Sequence, residues 1–417
     1  MLETVSATDL DLTNAAKMGD RLLPLLDTLR ETDPIHWNKQ AQSWVITRHE
    51  DIKEALSGRL PISNQRFATV SLSAIPVAEW PEKLPTLVKY GPYHITNMDA
   101  PQHTRMRALL TRAFGRPVVE AMRPFAQAAV AELMRALRET DGVEFAELAL
   151  TLPGRVILKL LGLPDELYPR LRVWANDVMV GLGTAHPEAE WVIAADRAFG
   201  EITEYCQVQI NERRASPPRP DDFISSLVYA KNGQDGLSDE EIIAVLHVAV
   251  IAGHDTTANS MTLGVAALAR QPQAWAYMRA HPERILDSVL EIMRYSAMST
   301  AQTRSVAADF EWHGKQIKKG DAMLLMVAAG NRDPRMYAQP QVMDLNRRND
   351  ESLTFAPGLH HCIGHLLAKM QLTEFFGALV REFAGAEILN DEVAFAPILV
   401  FRAILSLRMR FQPYAGA

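Results

Sequence analysis

Four side chains that can bind a metal ion lie within six residues late in the sequence, namely His360, His361, Cys362 and His365. Gly358 and Gly364 flank the cysteine and allow a backbone that bends sharply and approaches a flat group closely. A helical pattern follows at once. The free N–H groups and the dipole at a helix start stabilise a thiolate and lower its pKa. We therefore predict that Cys362 is an anionic sulfur ligand.

Three kinds of site are compatible with this loop. Zinc is one, but structural zinc sites usually combine two ligand pairs far apart in sequence, and the chain has only two cysteines. A loop with a buried, inert cysteine is the second. Haem iron held by a single axial thiolate is the third, and it fits best because the glycines let the loop lie under the macrocycle.

A second group of reactive side chains lies in the middle of a long predicted helix. Ser238 and Glu241 form a capping box at its start, and Pro272 ends it. Its centre reads Val250-Ile-Ala-Gly-His-Asp-Thr-Thr257. Glycine is a weak helix former, and threonine hydroxyls can bond the carbonyl one turn back and bend the helix. The segment predicts a local distortion with a polar groove, or else a partly exposed polar patch.

Two pairs of charged residues lie on predicted helices, one with a spacing of four residues and the other with a spacing of three. His103 and Arg107 project from one helix face, which is either a solvated basic surface or a clamp for two carboxylates such as those of haem. Glu291 and Arg294 match a pattern that often forms an exposed ion pair worth under about 0.5 kcal/mol.

The elements that would position these residues are mostly helices. Short strands are predicted around Ile35, at Ser43–Thr47, between Thr303 and Ala328, and as a C-terminal hairpin formed by 400–403 and 406–411. The stretch from Pro61 to Asn97 lacks clear periodicity, and a loop of that length in a compact domain is usually a lid or binding wall. Nothing in residues 1–417 reads as a linker, so we predict one domain.

The composition of the chain argues against some classes of function. The net charge of −7 argues against a general nucleic-acid binder. The N-terminal residues are acidic and polar, without the features of a targeting peptide, and the longest apolar stretch is too short to span a bilayer. We therefore expect a cytoplasmic protein that binds neither nucleic acid nor membrane.

The motifs together resemble those of the cytochrome P-450 family. The loop Phe355-Ala-Pro-Gly-Leu-His-His-Cys-Ile-Gly364 is similar to the family's F-G-x-G-x-H-x-C-x-G signature, with Ala356 in place of the usual glycine. The central helix resembles the A-G-x-D-T-T motif, the His103 helix resembles H-T-R-x-R, and Glu291 with Arg294 resembles E-x-x-R. The resemblance covers most of the chain from Ser43 onward.

The resemblance implies a role for each candidate residue. Cys362 is the axial thiolate ligand of the iron of heme b, and Asp255 with Thr256 relays protons to dioxygen. The remaining roles are haem binding by His103, Arg107, Arg304 and His360, a substrate pocket formed by Val248, Ile251, Ala252, Thr300 and Phe401, and a structural cluster of Glu291, Arg294 and Arg347.

The resemblance also implies a fold and a reaction. The fold is mainly α with small β-sheets, with a long central helix across the haem and the cysteine loop before a late helix. The reaction is the insertion of one oxygen atom from dioxygen into a small apolar molecule. Electrons are expected from a separate ferredoxin with its reductase, docked on a basic face formed by Arg105, Arg112, Arg116 and Lys369. Peroxide-driven oxidation, carbon–carbon coupling and a non-catalytic haem sensor are the alternatives.

Overall fold

The computed structural model describes residues 10–12, 18–65, 72, 74–184, 187–219 and 222–415. Short helices and bridges in this part of the chain connect sixteen α-helices and ten strands. The α-helices are α1 Leu22–Thr32, α2 His49–Leu56, α3 Trp80–Lys83, α4 Pro85–Tyr90, α5 Gln102–Leu110, α6 Arg116–Glu139, α7 Phe145–Ala149, α8 Thr151–Leu160, α9 Tyr168–Gly183, α10 Ala189–Arg214, α11 Phe223–Val228, α12 Asp239–Ala269, α13 Pro272–Ala280, α14 Ile285–Ser296, α15 Val327–Gly330 and α16 His365–Glu382.

The strands form three small sheets. Their bounds are β1 Ile35–Asn38, β2 Ser43–Ile46, β3 Ile62–Ser63, β4 Val143–Glu144, β5 Gln302–Val306, β6 Phe310–Trp312, β7 Lys315–Ile317, β8 Ala322–Leu325, β9 Phe383–Ile388 and β10 Arg408–Pro413. The largest sheet has the order β1-β2-β8-β5-β3, the second has the order β4-β10-β9, and β6 pairs with β7. Only the β2–β8 pairing among these is parallel. The predicted fold class, mainly α with small sheets, is confirmed.

The long helix α12 runs through the core of the molecule. It begins with the predicted capping box, in which Ser238 Oγ accepts from the Glu241 N–H and the Glu241 carboxylate accepts from the Ser238 N–H. It packs against α7, α8, α9, α10, α14 and α16. Its length and composition would also suit a membrane span, but 61% of its most apolar window is buried inside the protein, as in a core helix.

The centre of α12 is an uninterrupted α-helix, so the predicted distortion is absent there. The Thr256 hydroxyl nevertheless donates to the Ala252 carbonyl one turn back at 2.5 Å, as predicted. Gly253 allows α8 to approach closely, because a Cβ at this position would lie 2.2 Å from Cδ1 of Ile157. The weak helix formers thus serve close packing and access to a cavity instead of a kink.

The predicted C-terminal hairpin is wrong. Residues 400–403 do not pair with β10. Instead, Phe401 forms an isolated bridge with Ser299, while β10 pairs with both β9 and β4. The alternation of apolar residues in the two segments is real, but each segment finds its partner elsewhere in the chain. The local pattern therefore predicted a strand near β10 but not its partners, and residues 400–403 form no strand.

The stretch between Pro61 and Asn97 is also more ordered than a loop. Its described part contains β3, the short helices α3 and α4, and the 3₁₀ helices Val77–Glu79, Gly91–Tyr93 and Ile95–Asn97. Residues 66–71 and 73 of this stretch lie outside the described residues. The end of the stretch contacts α10 and α12, so it is packed against the core helix near the candidate site.

Candidate active site

A cavity of about 340 Å³ lies between α12, the cysteine loop and the start of α16. Most of its lining is apolar. Nine of the predicted site residues line it, namely His103, Arg107, Val248, Ala252, Thr256, Arg304, His360, Cys362 and Phe401. A larger and more open surface groove, of about 1110 Å³, runs beside β9 and the start of α13 and contains none of the predicted site residues.

The cysteine loop is held by its own backbone. The Cys362 N–H donates to the Phe355 carbonyl at 2.9 Å, and Nδ1 of His365 lies 2.9 Å from the Cys362 carbonyl oxygen. Gly358 has φ +94°, and a Cβ at this position would lie 2.2 Å from the Leu56 carbonyl oxygen. Helix α16 begins at His365, three residues after the cysteine. The loop thus presents the thiol to the cavity.

The electrostatic setting of Cys362 differs from the sequence-based prediction. Burial raises the pKa of the thiol, and this effect outweighs the lowering by the Gly364 N–H and by the charges of Arg107 and Lys369. The predicted contribution of the helix start is therefore present but is not dominant. Coordination to a metal deprotonates a thiol outright, so an iron ligand would reverse the balance.

A cationic rim lies on the other side of the cavity. The rings of His103 and His360 are 4.0 Å apart between centroids, and Arg107 and Arg304 line the same cavity. Nδ1 of His103 and Nε2 of His360 are buried without a hydrogen-bond partner among the described residues. Burial, with the charges of His103 and Arg304, lowers the pKa of His360 to about 3. The guanidinium groups of Arg107 and Arg304 can donate to the carboxylates of a ligand, and the negative charge of these carboxylates would favour protonation of the unpartnered histidine nitrogens, so the rim fits the propionates of haem.

The acid–threonine pair of α12 is divided by the helix. Thr256 lines the cavity, whereas Asp255 is not among the described residues that do so. Its carboxylate Oδ1 lies 2.8 Å from Nδ1 of His254, a side chain that is only 1% exposed. Both nitrogens of His254, and the hydroxyl of Tyr168 beside it, lack a well-directed hydrogen bond among the described residues. Of the two residues predicted to relay protons, only Thr256 is among the described residues that line the cavity.

Two predicted pocket residues are also placed elsewhere. Ile251 packs with Met179 and Ile398, and Thr300 is buried against the Val400 and Ala328 backbone. Helical geometry explains Ile251, because consecutive residues on a helix point about 100° apart and Ala252 already faces the cavity. The structure adds wall residues that no sequence motif indicated, namely Asn64, Ile95, Thr96, Val245, Ala249, Met298, Ser299 and Gln302.

The described residues do not provide the set of ligands that a zinc site requires. Among the described residues, no group of three or more histidine, cysteine, aspartate or glutamate side chains converges as a metal site would require. A single cysteine with a cationic rim and an apolar cavity is instead the donor set for one axial thiolate on a haem with two propionates.

Comparison with known proteins decides the family. A sequence model of the family described as Cytochrome P450 matches residues 193–393. Nocardicin C N-oxygenase of Nocardia uniformis subsp. tsuyamanensis is 32% identical over 349 residues, which are 83% of this chain and 83% of that protein. The chain belongs to the cytochrome P-450 family. A P-450 carries heme b with a cysteine thiolate as axial ligand, and this one is an oxidoreductase of the monooxygenase type.

Other relatives of this P-450 agree in sequence and in structure. The polyketide biosynthesis cytochrome P-450 PksS of Bacillus subtilis is 28% identical over 393 residues, covering 92% of this chain and 94% of that protein. Its solved structure superposes with a TM-score of 0.84 over 97% of this chain and 100% of that chain, at 25% identity. The structure named CalO2 superposes with a TM-score of 0.86 at 26% identity, over 97% of this chain and 99% of that chain.

The structural cluster of this P-450 is buried behind the cysteine loop. Nε and Nη2 of Arg294 donate to the two Glu291 carboxylate oxygens at 2.7 and 2.8 Å, and both side chains are 0% exposed. Arg347 Nε donates to the same carboxylate at 3.3 Å. Arg294 also donates to the carbonyl oxygens of Asn331 and Pro340. The predicted three-residue cluster therefore joins α14 to the segment that precedes the cysteine loop.

Proposed function

We propose that this P-450 inserts one oxygen atom from dioxygen into a small apolar molecule and receives its electrons from a separate ferredoxin-type donor with its reductase. The observation that carries the proposal is the position of Thr256. Its hydroxyl lies in a predominantly apolar cavity that also contains the thiol of Cys362. Bound haem supplies the activation of dioxygen, and the residues around it supply orientation, exclusion of water and protons.

The proposal assigns one role to each of the site residues. Cys362 binds the iron, while His103, Arg107, Arg304 and His360 bind the propionates. Val248, Ala252 and Phe401 form apolar wall that orients the substrate and keeps bulk water out. The Thr256 hydroxyl holds a proton donor in the cavity, and Asp255, which lies outside the described cavity wall, supplies the proton.

The substrate is proposed only as a class. Related proteins are named for the N-oxygenation of nocardicin C, the C26-monooxygenation of a steroid and the hydroxylation of 6-deoxyerythronolide B, so their names differ in substrate and agree in oxygen insertion. Most of the wall is apolar, and Asn64, Thr96, Ser299 and Gln302 are among the polar wall residues able to orient a polar group. The cavity therefore suits an apolar molecule with one or two polar groups.

The first experiment is the absorption spectrum of the ferric protein, titrated with a panel of apolar compounds. We expect a thiolate-haem spectrum, and a blue shift of the Soret band with compounds that displace an axial water. Thr256→Ala should then consume electrons without matching product. A protein that holds no thiolate haem, or a Thr256→Ala variant with normal coupling, would overturn the proposal. Product formed with peroxide but not with electrons from a ferredoxin would favour the peroxide alternative.

The set of cations proposed for docking the electron donor excludes Arg105, which forms ion pairs within the protein. Arg105 was expected on this face, but its guanidinium binds Glu241 and Asp235, with Nε 2.8 Å from Oδ2 of Asp235. Arg112 and Arg116 remain exposed, and Lys369 Nζ lies 5.2 Å from the ring centroid of Phe355. We propose that these three cations attract an acidic ferredoxin.

A charge reversal tests this face. Arg112→Glu should slow reduction by a ferredoxin in a salt-dependent manner. Arg135→Glu is the matched control, because it reverses an exposed charge near the far end of α6. Equal reduction rates for the two variants would remove the docking proposal.

A further inference from the structure

A buried hydrogen-bond chain joins three elements behind the cavity wall. His94 lies between two 3₁₀ helices, Gly91–Tyr93 and Ile95–Asn97, while Thr203 lies on α10 and His247 on α12. Nε2 of His94 is 3.4 Å from Nδ1 of His247, and Nε2 of His247 is 2.8 Å from Oγ1 of Thr203. His94 is 5% exposed and His247 is 0% exposed. We refer to His94, His247 and Thr203 as the histidine chain.

The direction of the protons follows from Thr203. Its hydroxyl donates to the Phe199 carbonyl at 2.8 Å, and a hydroxyl has one proton, so its oxygen accepts from Nε2–H of His247. Nδ1 of His247 is then an acceptor and receives the proton on Nε2 of His94. This arrangement needs a neutral His247, whose Nδ1 then has a free lone pair, and a proton on Nε2 of His94. Burial lowers the pKa of His94 to about 4 and that of His247 well below its usual value, so the chain is complete at neutral pH.

Aromatic rings from α4 and α10 pack against the two histidines of the histidine chain. The ring of His247 lies 5.5 Å from that of Tyr90 and 4.6 Å from that of Phe199, and His94 lies 5.3 Å from Phe199. Water therefore has little access to the two histidine rings, whereas Thr203 is half-buried. A hydrogen bond broken in such surroundings leaves a buried polar atom without a partner, which costs more than the bond contributes.

The sequence neighbours of the histidine chain form the cavity wall. Ile95 and Thr96 follow His94, and Val248 and Ala249 follow His247. Two residues later, the Met98 backbone is hydrogen-bonded to His360 on the haem side. Helix α10 contributes none of the described lining residues. It contacts α12, which lines the cavity, and α4, which precedes residues 94–98, so its influence can reach the cavity through these elements.

A second contact fixes the same segment to α10. The buried Asp196 carboxylate accepts from the Leu87 N–H at 2.7 Å, near the start of α4. Residues 85–97 are thus attached to α10 at both ends, by Asp196 at one and by the histidine chain at the other. The Asp196 contact holds α4, whereas the histidine chain holds the residues next to the wall.

We propose that the histidine chain positions the Ile95–Thr96 wall against α12 and sets how readily this wall yields to an entering or leaving ligand. His94, His247 and Thr203 are positioning residues, because none of them is among the described residues that line the cavity. The proposal goes beyond the reaction itself, since it concerns the exchange of ligands and not the chemistry on them.

The decisive variant is Thr203→Val, which keeps the shape of the side chain and removes the acceptor for His247. Its matched control is Thr262→Val, because Thr262 is a buried threonine of α12 that also donates one turn back, to the Ala258 carbonyl at 2.9 Å. Thr203→Ser retains the hydroxyl and should restore the behaviour of the original protein. The probe is 4-phenylimidazole, which ligates haem iron directly, so no knowledge of the substrate is needed.

We expect Thr203→Val to release 4-phenylimidazole about fivefold faster in stopped-flow absorption, since one hydrogen bond is worth about that factor. Backbone amides of residues 91–97 should also exchange with deuterium faster, without ligand. Thr262→Val and Thr203→Ser should match the original protein in both measurements. If Thr203→Val matches Thr262→Val, or if Thr203→Ser is as impaired as Thr203→Val, the proposal is overturned. A protein that does not bind the azole contradicts the proposed function, while the exchange rates still decide on the histidine chain.

Discussion

The carboxylate of Asp255 lies 2.8 Å from Nδ1 of His254, and Asp255 is not among the described residues that line the cavity, whereas the next residue, Thr256, lines it. Adjacent residues of one motif therefore meet different surroundings. Thr256 can touch a molecule in the cavity, whereas Asp255 can act only by passing a proton past the helix or by turning its side chain. The two residues should accordingly differ in what their loss changes.

This difference gives the first prediction. Asp255→Asn should slow the consumption of dioxygen about 10²-fold or more, because a positioned proton donor contributes about 10²–10⁴. The remaining turnover should still yield product, and the substrate-induced spectral shift should be unchanged because Asp255 is off the wall. Thr256→Ala should instead leave consumption fast and lose product. The measurement is oxygen uptake beside product and peroxide yield. Identical phenotypes for the two variants would contradict the division of roles.

A second prediction concerns Ala356, which stands where the family signature has glycine. Its φ is +52°, in the left-handed region that costs a side chain about 1–2 kcal/mol. Ala356→Gly should relieve this cost. Because glycine also raises the conformational entropy of the unfolded chain, the net increase in the free energy of unfolding should be at most about 1 kcal/mol. The free energy of unfolding in urea measures it. Ala131→Gly, at an exposed position inside α6, should lose about 1 kcal/mol instead.

The buried Glu291–Arg294 pair gives a third prediction. Removing one partner leaves an uncompensated buried charge, which typically costs about 3–5 kcal/mol. Arg294→Met should therefore abolish the folded haem protein, and Arg294→Lys should fail to rescue it because one ammonium cannot replace two parallel hydrogen bonds. Arg347→Met should be milder, since its contact is 3.3 Å and its side chain is 11% exposed. Haem content after purification and the midpoint of unfolding distinguish the three variants.

Stability against acid gives a fourth prediction. The pKa of His94 is lowered from 6.5 to about 4, so the unfolded chain binds more protons than the folded chain between these values. Stability is therefore lost as the pH falls from 6.5 towards 4, by about 2 kcal/mol at pH 5 from this residue alone. His94→Gln should reduce the difference in unfolding free energy between pH 7 and pH 5. Phe199→Leu, which disturbs the same aromatic cluster without removing a histidine, should leave that difference in place.

Motif spacing predicted the parts of the site that depend on local backbone. The cysteine loop, the His103–Arg107 face and the Glu291–Arg294 pair were found where the sequence indicated, because turn residues and helical periodicity fix their directions. Ile251 and Thr300 were expected to line the pocket and are not among the described lining residues, because a motif names residues without giving their orientation towards the cavity. The ion pairs of Arg105 were not predicted because its partners, Asp235 and Glu241, are more than 100 residues away in sequence.

The fold shows the same limit. The lengths of α12 and α16 followed from caps, proline and apolar spacing. The partners of the C-terminal strands did not, since pairing depends on which edge each segment reaches. The His94–His247 contact joins residues 153 positions apart, and no local pattern indicates that two isolated histidines will share a proton.

The carboxylate of Glu241 accepts hydrogen bonds from two different elements. One oxygen accepts from the Ser238 N–H at the start of α12, and the other accepts from the guanidinium of Arg105, on the helix that carries His103 and Arg107. The beginning of the core helix and the haem-binding helix are therefore completed by the same group. A substitution of Glu241 would therefore remove a capping group from α12 and an ion-pair partner from α5 at once, so the start of the core helix and the position of the haem-binding helix depend on one side chain.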